Sequence, residues 1–396
     1  MHNTNSLQLA DVLRAGFSRF VAATGPLPPQ HYAVANAIMG CKTAALGGHV
    51  FKCDHCGHDK ISYNSCRNRH CPSCQAQARA HWVEKRLDEL LAVPYFHVVF
   101  TLPNALNPFA LRNKSCMYNL LFRAASETLC ELGRDPKRLG AELGFIALLH
   151  TWGQTLQDHP HLHCVVPAGG LRDDEWVASK SSSFLFPIAV MAKLFRGKFL
   201  DYFEHAVEGG DIEFHGQLRR YRDEPKLMSD LLDTLYRKQW VVYAKPPFAG
   251  PEAVVKYLGR YTHRIAIANS RLVSLDDTEV RFRWKDYADG HKQKVMALNI
   301  AEFIRRFLLH VLPKGFVRIR YYGFLSCRGR AEKLALCMSL TGKRRHTEPH
   351  AIPDAPHATQ PWSERTWVCP LCNKGRMRLC FRIHKPDPGG TLSIAA

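Results

Sequence analysis

The sequence predicts an α+β fold, in which a central antiparallel sheet with flanking helices is preceded by a small cysteine-rich module. Cysteines are concentrated between residues 41 and 74. From residue 94 onward, short segments with strand alternation are interleaved with longer segments of helical periodicity. A chain of 396 residues with 46% apolar residues is long enough for two or three domains with cores of their own.

The N-terminal module is predicted to span residues 1–92. Apolar residues at helical spacing predict a helix over 6–22, which Gly25 and Pro26 end. A second short helix follows Pro28 and Pro29, and a third is expected from about 75 to 91, after the cysteines.

The α+β domain is predicted over 93–326, with a helical insertion at about 187–238. A helix and a flexible linker rich in proline and histidine follow at 327–366, and a cysteine-bearing patch and tail at 367–396. Strands are predicted at 95–102, 144–155, 161–167, 240–245, 264–273, 279–285 and 316–321. Helices are predicted at 105–132, 187–206, 225–238, 251–263 and 299–311.

The charge balance favours a polyanionic partner. Lys and Arg number 54 against 35 Asp and Glu, a formal charge of +19, and nucleic acid is the leading candidate. No apolar segment approaches the roughly 18 residues that cross a bilayer, and no secretory signal precedes the first helix. The sequence therefore predicts a cytoplasmic protein, whose cysteines bind metal in a reducing compartment.

The segment CDHCGHDKISYNSCRNRHCPSC contains two Cys-x2-Cys hooks separated by fourteen residues. Two such hooks can hold one structural zinc ion tetrahedrally, which predicts the ligands Cys53, Cys56, Cys71 and Cys74. A second zinc, or a different choice of four, remains open, with Cys41, His49, Cys66 and His70 nearby. Arg67 and Arg69 are expected to contact phosphates. Four protein ligands leave no open position for catalysis.

The C-terminal segment CPLCNKGRMRLCFRIH presents Cys369, Cys372, Cys380 and His384. This set could form a second zinc knuckle, or its thiols could be exposed in a loose tail; the spacing leaves both possibilities open.

The segment HPHLHCVV places His161 and His163 on one face of a predicted strand, because side chains alternate with period two. If the preceding segment is the other arm of a hairpin, His150, Trp152 and Gln154 share that face. Gln154 is then the expected third ligand of a divalent ion, Mg²⁺ or Mn²⁺, with His150 as the alternative.

The segment KYLGRYTHR places Tyr257 and Tyr261 four residues apart on a predicted helix. Lys256, Arg260 and Arg264 surround them and are expected to contact DNA. A tyrosine oxygen beside a cation or base can attack a phosphodiester that a metal ion polarises. The product would be a 5′-phosphotyrosine and a free 3′-hydroxyl, and two tyrosines suit strand transfer.

These motifs together resemble the two-tyrosine rolling-circle transposases of the insertion-sequence-91 family, within the wider HUH endonuclease group. SCRNRHCPSCQ is similar to the family's zinc module, HTWGQTLQDHPHLHCVVPAGG to its histidine motif and YLGRYTHRIAIANSRL to its tyrosine motif. The resemblance covers about residues 10–325. It implies an HUH-like catalytic domain, His161 and His163 as metal ligands, Tyr257 and Tyr261 as nucleophiles, and single-stranded transposon ends as the substrate.

Two other functions are consistent with the same features. A plasmid replication initiator or relaxase would use the same chemistry on different DNA. A non-catalytic zinc-dependent DNA-binding protein would account for the charge and the cysteines, but it would leave the histidine and tyrosine pairs unexplained.

Overall fold

The computed structural model describes residues 7–181, 183–245, 253, 255, 259, 265–326, 328–342, 366–386 and 394–395. It confirms the α+β class, and every strand pairing that it describes is antiparallel. The chain forms two compact units. The first comprises residues 1–80, 263–311 and 348–396, and the second comprises 81–262 and 312–347.

The predicted domain 93–326 and these compact units divide the chain differently. The segment 263–311 groups with the N-terminal residues. Its helix packs against the first helix of the chain, and a Cβ on Gly16 would lie 2.1 Å from Cγ2 of Ile300. This close approach is a long-range contact, which sequence periodicity does not report.

The first unit contains four helices among its described residues, and the third of them continues across the unit boundary. They are α1 (Leu9–Thr24), α2 (Pro29–Met39), α3 (Pro72–Leu87) and α9 (Ile300–Leu309). Asn299 caps α9, since its side chain accepts a hydrogen bond from the backbone N–H of Ala301.

Two sheets lie in the first unit. One has the order β13-β14-β1-β2, with β15 also paired to β14, and it joins residues from both ends of the chain. The other has the order β11-β10-β9. Their strands are β1 (Gly48–Cys53), β2 (Asp59–Tyr63), β9 (Leu272–Leu275), β10 (Glu279–Asp286), β11 (Lys292–Asn299), β13 (Trp367–Val368), β14 (Arg376–Ile383) and β15 (Ile394–Ala395).

The second unit is built on a five-stranded sheet of order β12-β4-β5-β3-β8, beside the hairpin β6-β7. Its strands are β3 (Tyr95–Thr101), β4 (Gly144–Trp152), β5 (Asp158–Pro167), β6 (Gly169–Arg172), β7 (Glu175–Ala178), β8 (Val242–Lys245) and β12 (Ile319–Gly323). Its helices are α4 (Asn107–Arg112), α5 (Lys114–Arg134), α6 (Ile188–Glu208), α7 (Arg219–Asp223), α8 (Pro225–Arg237) and α10 (Arg330–Thr341).

The two faces of this central sheet pack against different residues. On one face, Phe100 of β3 and Leu162 of β5 are completely buried beneath α4, α5 and α6. On the other face, Ile146, Leu148 and Val165 belong to a second hydrophobic cluster. Residues 163 and 161 continue that second face toward the start of β5. The sheet therefore holds the histidines on the side away from α4, α5 and α6.

Several predicted elements differ from those observed. The helix expected over 105–132 is divided at Asn113, whose non-helical backbone separates α4 from α5. The strand expected at 264–273 begins only at Leu272, and β11 was not predicted. Of the helix expected at 251–263, only Ala253, Val255 and Gly259 are described, and all three are helical. Among the described residues, none of the helices has the length and apolar character needed to cross a membrane.

Candidate functional site

The candidate site lies where β4 and β5 run side by side in the second unit. His161 and His163 point to one face of β5, as their alternation predicts. His150 of β4 pairs directly with His161, and Leu148 pairs with His163. Directly opposite residues in an antiparallel pair share a face, so β4 adds a third imidazole to the two on β5.

The three imidazoles converge closely enough to share an ion. His150, His161 and His163 each offer a ring nitrogen, and these atoms lie within 4.8 Å of one another. The ring centroids are 4.2 Å apart for His150 and His163, and 4.8 Å apart for His161 and His163. Two nitrogens bound to one ion at about 2.1 Å lie at most about 4.2 Å apart, so small side-chain rotations suffice.

Hydrogen bonds orient two of these rings. Nδ1 of His161 donates to the backbone oxygen of His159 at 2.6 Å, which leaves the lone pair on Nε2. Nδ1 of His163 lies 2.7 Å from Nε2 of His97, a residue of β3 on the same face. Partners of this kind hold metal-binding histidines in one tautomer and one orientation.

Burial keeps the cluster uncharged at neutral pH. It lowers the pKa of His161 to about 3, and the neighbouring His159 contributes to the shift. Burial also lowers the pKa of His163 well below its usual value, with a contribution from His150, and the pKa of His97 to about 4. Neutral imidazole is the form that coordinates a metal, so the rings are in their binding state.

His150, the alternative third ligand, lies in this cluster of imidazoles, whereas Gln154 as a ligand stays a prediction. Strand β4 ends at Trp152, and its register with β5 shifts between His150 and Trp152. Gly153 then begins a turn, in which its N–H bonds to the oxygen of Gln157 at 2.9 Å. The strand alternation that would have aligned Gln154 with the histidines is therefore interrupted before that residue.

The tyrosine motif falls outside the described residues. This applies to Tyr257 and Tyr261 and to the three basic residues around them, Lys256, Arg260 and Arg264. Val255, two positions before Tyr257, is described and is only 2% exposed. It belongs to the same hydrophobic cluster as Ile146 and Val165, on the face of the sheet that carries the histidines.

The predicted zinc ligands are divided between two cysteine clusters in the first unit, a correction to the single site. Cys71 and Cys74, at the start of α3, group with Cys41 and Cys66. Cys53 and Cys56 group elsewhere. Cys53 ends β1 and Cys56 lies just after it, whereas Cys66 follows β2 at the opposite end of the hairpin. A six-residue strand separates those ends by roughly 17 Å. One ion cannot bind both hooks.

The first cluster is compact. Sγ of Cys74 lies 3.3 Å from Sγ of Cys41 and 3.5 Å from Sγ of Cys66. The backbone N–H groups of Cys66 and Asn68 approach Sγ of Cys41 and of Cys66, respectively, at 3.5 Å. Four sulfurs with N–H donors around them have the chemistry of a structural zinc site.

The second cluster joins Cys53 and Cys56 to Cys369 and Cys372, at the other end of the sequence. The C-terminal set Cys369, Cys372, Cys380 and His384 is therefore not the group that the structure brings together. Cys380 and His384 are exposed, and they lie on and just after β14. His49 and His70, which were open alternatives, are buried but belong to neither cluster.

The predicted phosphate-contacting arginines occupy the loop before α3. Arg67 is exposed and has a positive φ of 52°. Arg69 is partly buried, and burial lowers the pKa of its guanidinium. His97 was not predicted as a partner of the site. The one indication was its position on the strand that pairs with the histidine strand, where period-two alternation places it on the same face.

Comparisons with known proteins identify two regions of the chain. Residues 144–333 match a family model described as "Putative transposase", and residues 12–102 match one described as "Transposase zinc-binding domain". The histidine cluster and the tyrosine motif fall within the first match. Cys369 and Cys372 lie beyond both.

Two curated relatives agree with these matches. The chain is 51% identical over 383 residues to the "Putative transposase y4qJ" of Sinorhizobium fredii, which covers 93% of this chain and 94% of that protein. It is 30% identical over 303 residues to the transposase for insertion sequence element IS801 of Pseudomonas savastanoi pv. phaseolicola, which covers 74% of this chain and 69% of that protein. No solved structure matches the chain significantly.

Proposed function

This chain belongs to the insertion-sequence-91 family of transposases, and we propose that it moves DNA by a rolling-circle mechanism in which tyrosines attack single-stranded transposon ends. The substrate is DNA at the ends of the element, and the products of the first step are a 5′-phosphotyrosine and a free 3′-hydroxyl. The protein acts in the cytoplasm, where its thiols stay reduced.

One observation carries this proposal: His150, His161 and His163 converge on one face of the central sheet. Burying three neutral imidazoles carries a desolvation penalty, which coordination of an ion would offset. Their shared orientation supports a ligand set for a divalent ion.

The position of Val255 supports placing the tyrosine motif near these histidines. Its burial against Ile146 and Val165 anchors the segment that precedes Tyr257 on the histidine face of the sheet. In the sequence, Tyr257 and Tyr261 follow Val255 by two and six residues. We assign these two tyrosines as the nucleophiles.

The chemical step exchanges one phosphoester bond for another. The phenolic oxygen of Tyr257 or Tyr261 forms a bond to phosphorus, and the bond from phosphorus to the 3′ oxygen breaks. The phenolic proton leaves as the 3′ oxygen gains one, so charge is conserved and no nucleotide cofactor is consumed. Lys256, Arg260 and Arg264 would neutralise charge on the phosphate. The reverse reaction, with a 3′-hydroxyl as the attacking group, joins strands.

The histidine cluster fits the metal ion that this chemistry uses. A divalent ion bound there would polarise the scissile phosphate and offset the charge that develops on it. The three rings contribute nitrogen ligands and no carboxylate, and imidazole suits Mn²⁺ better than Mg²⁺. We therefore expect Mn²⁺ to support the reaction at lower concentration than Mg²⁺.

The first unit is proposed to bind DNA. A zinc ion held by Cys41, Cys66, Cys71 and Cys74 would fix the loop that carries Arg67 and Arg69. These arginines contact phosphates, so they contribute affinity and no sequence information. The net charge of +19 is consistent with a long DNA contact.

The decisive experiment incubates the protein with single-stranded oligonucleotides that contain the element's ends, in the presence of Mn²⁺. The expected result is a covalent adduct, located by mass spectrometry on Tyr257 or Tyr261. A Tyr257→Phe/Tyr261→Phe double variant should bind the same DNA and form no adduct. Equal adduct formation by the wild type and the double variant would refute the proposal.

The same assay separates the alternatives. A non-catalytic DNA-binding protein would give binding without any cleavage product. A replication initiator or relaxase would cleave plasmid origin sequences in preference to the termini that flank the coding region.

A further inference from the structure

Strands from the two ends of the chain pair in one sheet of the first unit, and four cysteine thiols cluster beside these strands. We propose that Cys53, Cys56, Cys369 and Cys372 hold a second structural zinc ion, distinct from the site at Cys41, Cys66, Cys71 and Cys74. Its ligands come in two pairs separated by more than 310 residues. The matched zinc-binding region, residues 12–102, contains only the first pair.

The sulfur positions fit a tetrahedral ion. Sγ of Cys53 lies 3.7 Å from Sγ of Cys372, and Sγ of Cys56 lies 3.7 Å from Sγ of Cys369. Four sulfurs bound to zinc at about 2.3 Å define a tetrahedron whose edges are about 3.8 Å. Both contacts join the N-terminal hook to the C-terminal hook. A disulfide would instead require the two sulfurs to be about 2.05 Å apart.

In each hook, backbone N–H groups donate hydrogen bonds to a cysteine sulfur. In the N-terminal hook, the N–H groups of His55 and Cys56 donate to Sγ of Cys53 at 3.4 Å. In the C-terminal hook, the N–H of Gly375 donates to Sγ of Cys372 at 3.4 Å. Such N–H donors stabilise thiolates, which are the ligand form of cysteine.

The turns that follow the hooks are alike in geometry. The N–H of Gly57 bonds to the oxygen of Cys53 at 3.1 Å, and the N–H of Asn373 bonds to the oxygen of Cys369 at 2.9 Å. Gly57 and Asn373 both have positive φ, of 72° and 53°. The two hooks are thus paired knuckles of the same kind, which face each other across the sulfurs.

Backbone contacts hold the two hooks close together. A Cβ on Gly375 would lie 2.6 Å from Sγ of Cys53 and 2.5 Å from Cβ of His55, so only glycine fits there. The carboxylate of Asp54 accepts the backbone N–H of Arg376 at 2.7 Å and the Nε–H of Arg378 at 3.0 Å. These contacts bring the C-terminal hook against the N-terminal one.

The hydrophobic cluster at this junction is small. Strand β14 pairs with β1 along its length, and Cys53 lies opposite Met377. The buried cluster there comprises Phe51, Cys53, Cys369 and Met377, with the ring of Trp367 4.5 Å from that of Phe51. Small modules of this size commonly depend on a metal or disulfide for stability. Zinc at the four thiols would provide that link between the two ends.

The test begins with the wild-type full chain, purified in the presence of zinc. Elemental analysis should give two zinc ions per chain once zinc at the three histidines is subtracted, which a His161→Ala/His163→Ala variant measures. N-ethylmaleimide, followed by peptide mass spectrometry, should modify Cys380 readily and Cys56 at least about tenfold more slowly, although both side chains are exposed. After incubation with a strong chelator, Cys53, Cys56, Cys369 and Cys372 should all become reactive. Equal rates at Cys56 and Cys380 in the zinc-loaded protein would overturn the proposal.

A variant pair assigns the second ion to its ligands. Cys369→Ser/Cys372→Ser should lower the zinc content by one ion per chain, whereas Cys380→Ser, on β14 but outside the cluster, should leave it unchanged. An unchanged zinc content in the double variant would also overturn the proposal. Adduct formation on Tyr257 or Tyr261 is a separate measurement, so failure here leaves the proposed catalysis untouched, and the reverse holds as well.

Discussion

Nε2 of His97 lies 2.7 Å from Nδ1 of His163, and the two rings are stacked with an interplanar angle of 14°. If His163 binds an ion through Nε2, its Nδ1 carries the proton and donates it to His97. We therefore predict that His97 is a positioning residue. It fixes the tautomer of the ligand while remaining outside the ligand set of His150, His161 and His163.

Replacing His97 should weaken metal binding. We expect His97→Leu to lower the affinity for Mn²⁺ by about 10- to 100-fold, because the ring of His163 loses its acceptor. His97→Gln places an amide oxygen near the same position and should restore most of that affinity. Titration of the apoprotein with Mn²⁺, followed by electron paramagnetic resonance, measures both variants. Equal affinities for the Leu variant and the wild type would contradict the role of His97.

The third ligand can be tested by comparing His150 with Gln154. His150→Ala should lower adduct formation at fixed Mn²⁺ by at least about 100-fold, since it removes one of three converging nitrogens. Gln154→Ala should change it by no more than a few-fold, because Gln154 lies beyond the end of β4. Single-turnover kinetics across a Mn²⁺ series gives both values. The opposite order of effects would restore Gln154 as the ligand.

Asp158 predicts a pH-dependent stability. Its carboxylate oxygens are buried beneath the sheet without a hydrogen-bond partner. Burial raises its pKa to about 7, and Lys114 opposes part of that shift. An acid whose pKa is higher in the folded state binds more protons there than in the unfolded state. Its contribution to stability therefore falls as pH rises from about 4 to about 7, and the full penalty remains above that range.

Asp158→Asn should remove this penalty. Relative to wild type, the variant should gain on the order of 3 kcal/mol in free energy of unfolding between pH 4 and pH 8. Urea unfolding at the two pH values measures the difference. Asp173→Asn, at an exposed carboxyl between β6 and β7, is the control and should show no such trend. A difference independent of pH would mean that Asp158 ionises normally.

Arg67 should contribute to DNA affinity through phosphate alone. Arg67→Asn suits the positive φ of 52° at this position, and it removes one cation. The slope of log affinity against log salt for single-stranded DNA should become shallower by about 0.7, equally for end-derived and unrelated sequences. Fluorescence anisotropy over a salt series measures that slope. A loss confined to end-derived DNA would instead indicate contact with bases.

The chemistry of the candidate site was largely predictable from local patterns. Period-two alternation put His161 and His163 on one face, because backbone geometry alone determines side-chain direction in a strand. The Cys-x2-Cys hooks and the excess of basic residues likewise indicated zinc and DNA, and the family comparisons support both. The roles of Tyr257 and Tyr261 stay predictions, since neither lies among the described residues.

The ligand sets were decided by contacts between distant parts of the chain. Gln154 was expected on the histidine face, but β4 ends at Trp152, whereas His150 pairs with His161 and lies in the cluster. Cys53 and Cys71 were expected to share one ion, but the β1–β2 hairpin separates them.

The sequence by itself determined the types of ligand and the direction in which each points, since both depend on side-chain chemistry and on a few neighbouring residues. Only the tertiary structure decided which ligands meet. The pairing of β1 with β14 brings Cys53 to Cys372, and packing of β3 against β5 brings His97 to His163. Such meetings depend on the balance of sheet pairing, burial and chain entropy over the whole molecule, which no local window of sequence contains.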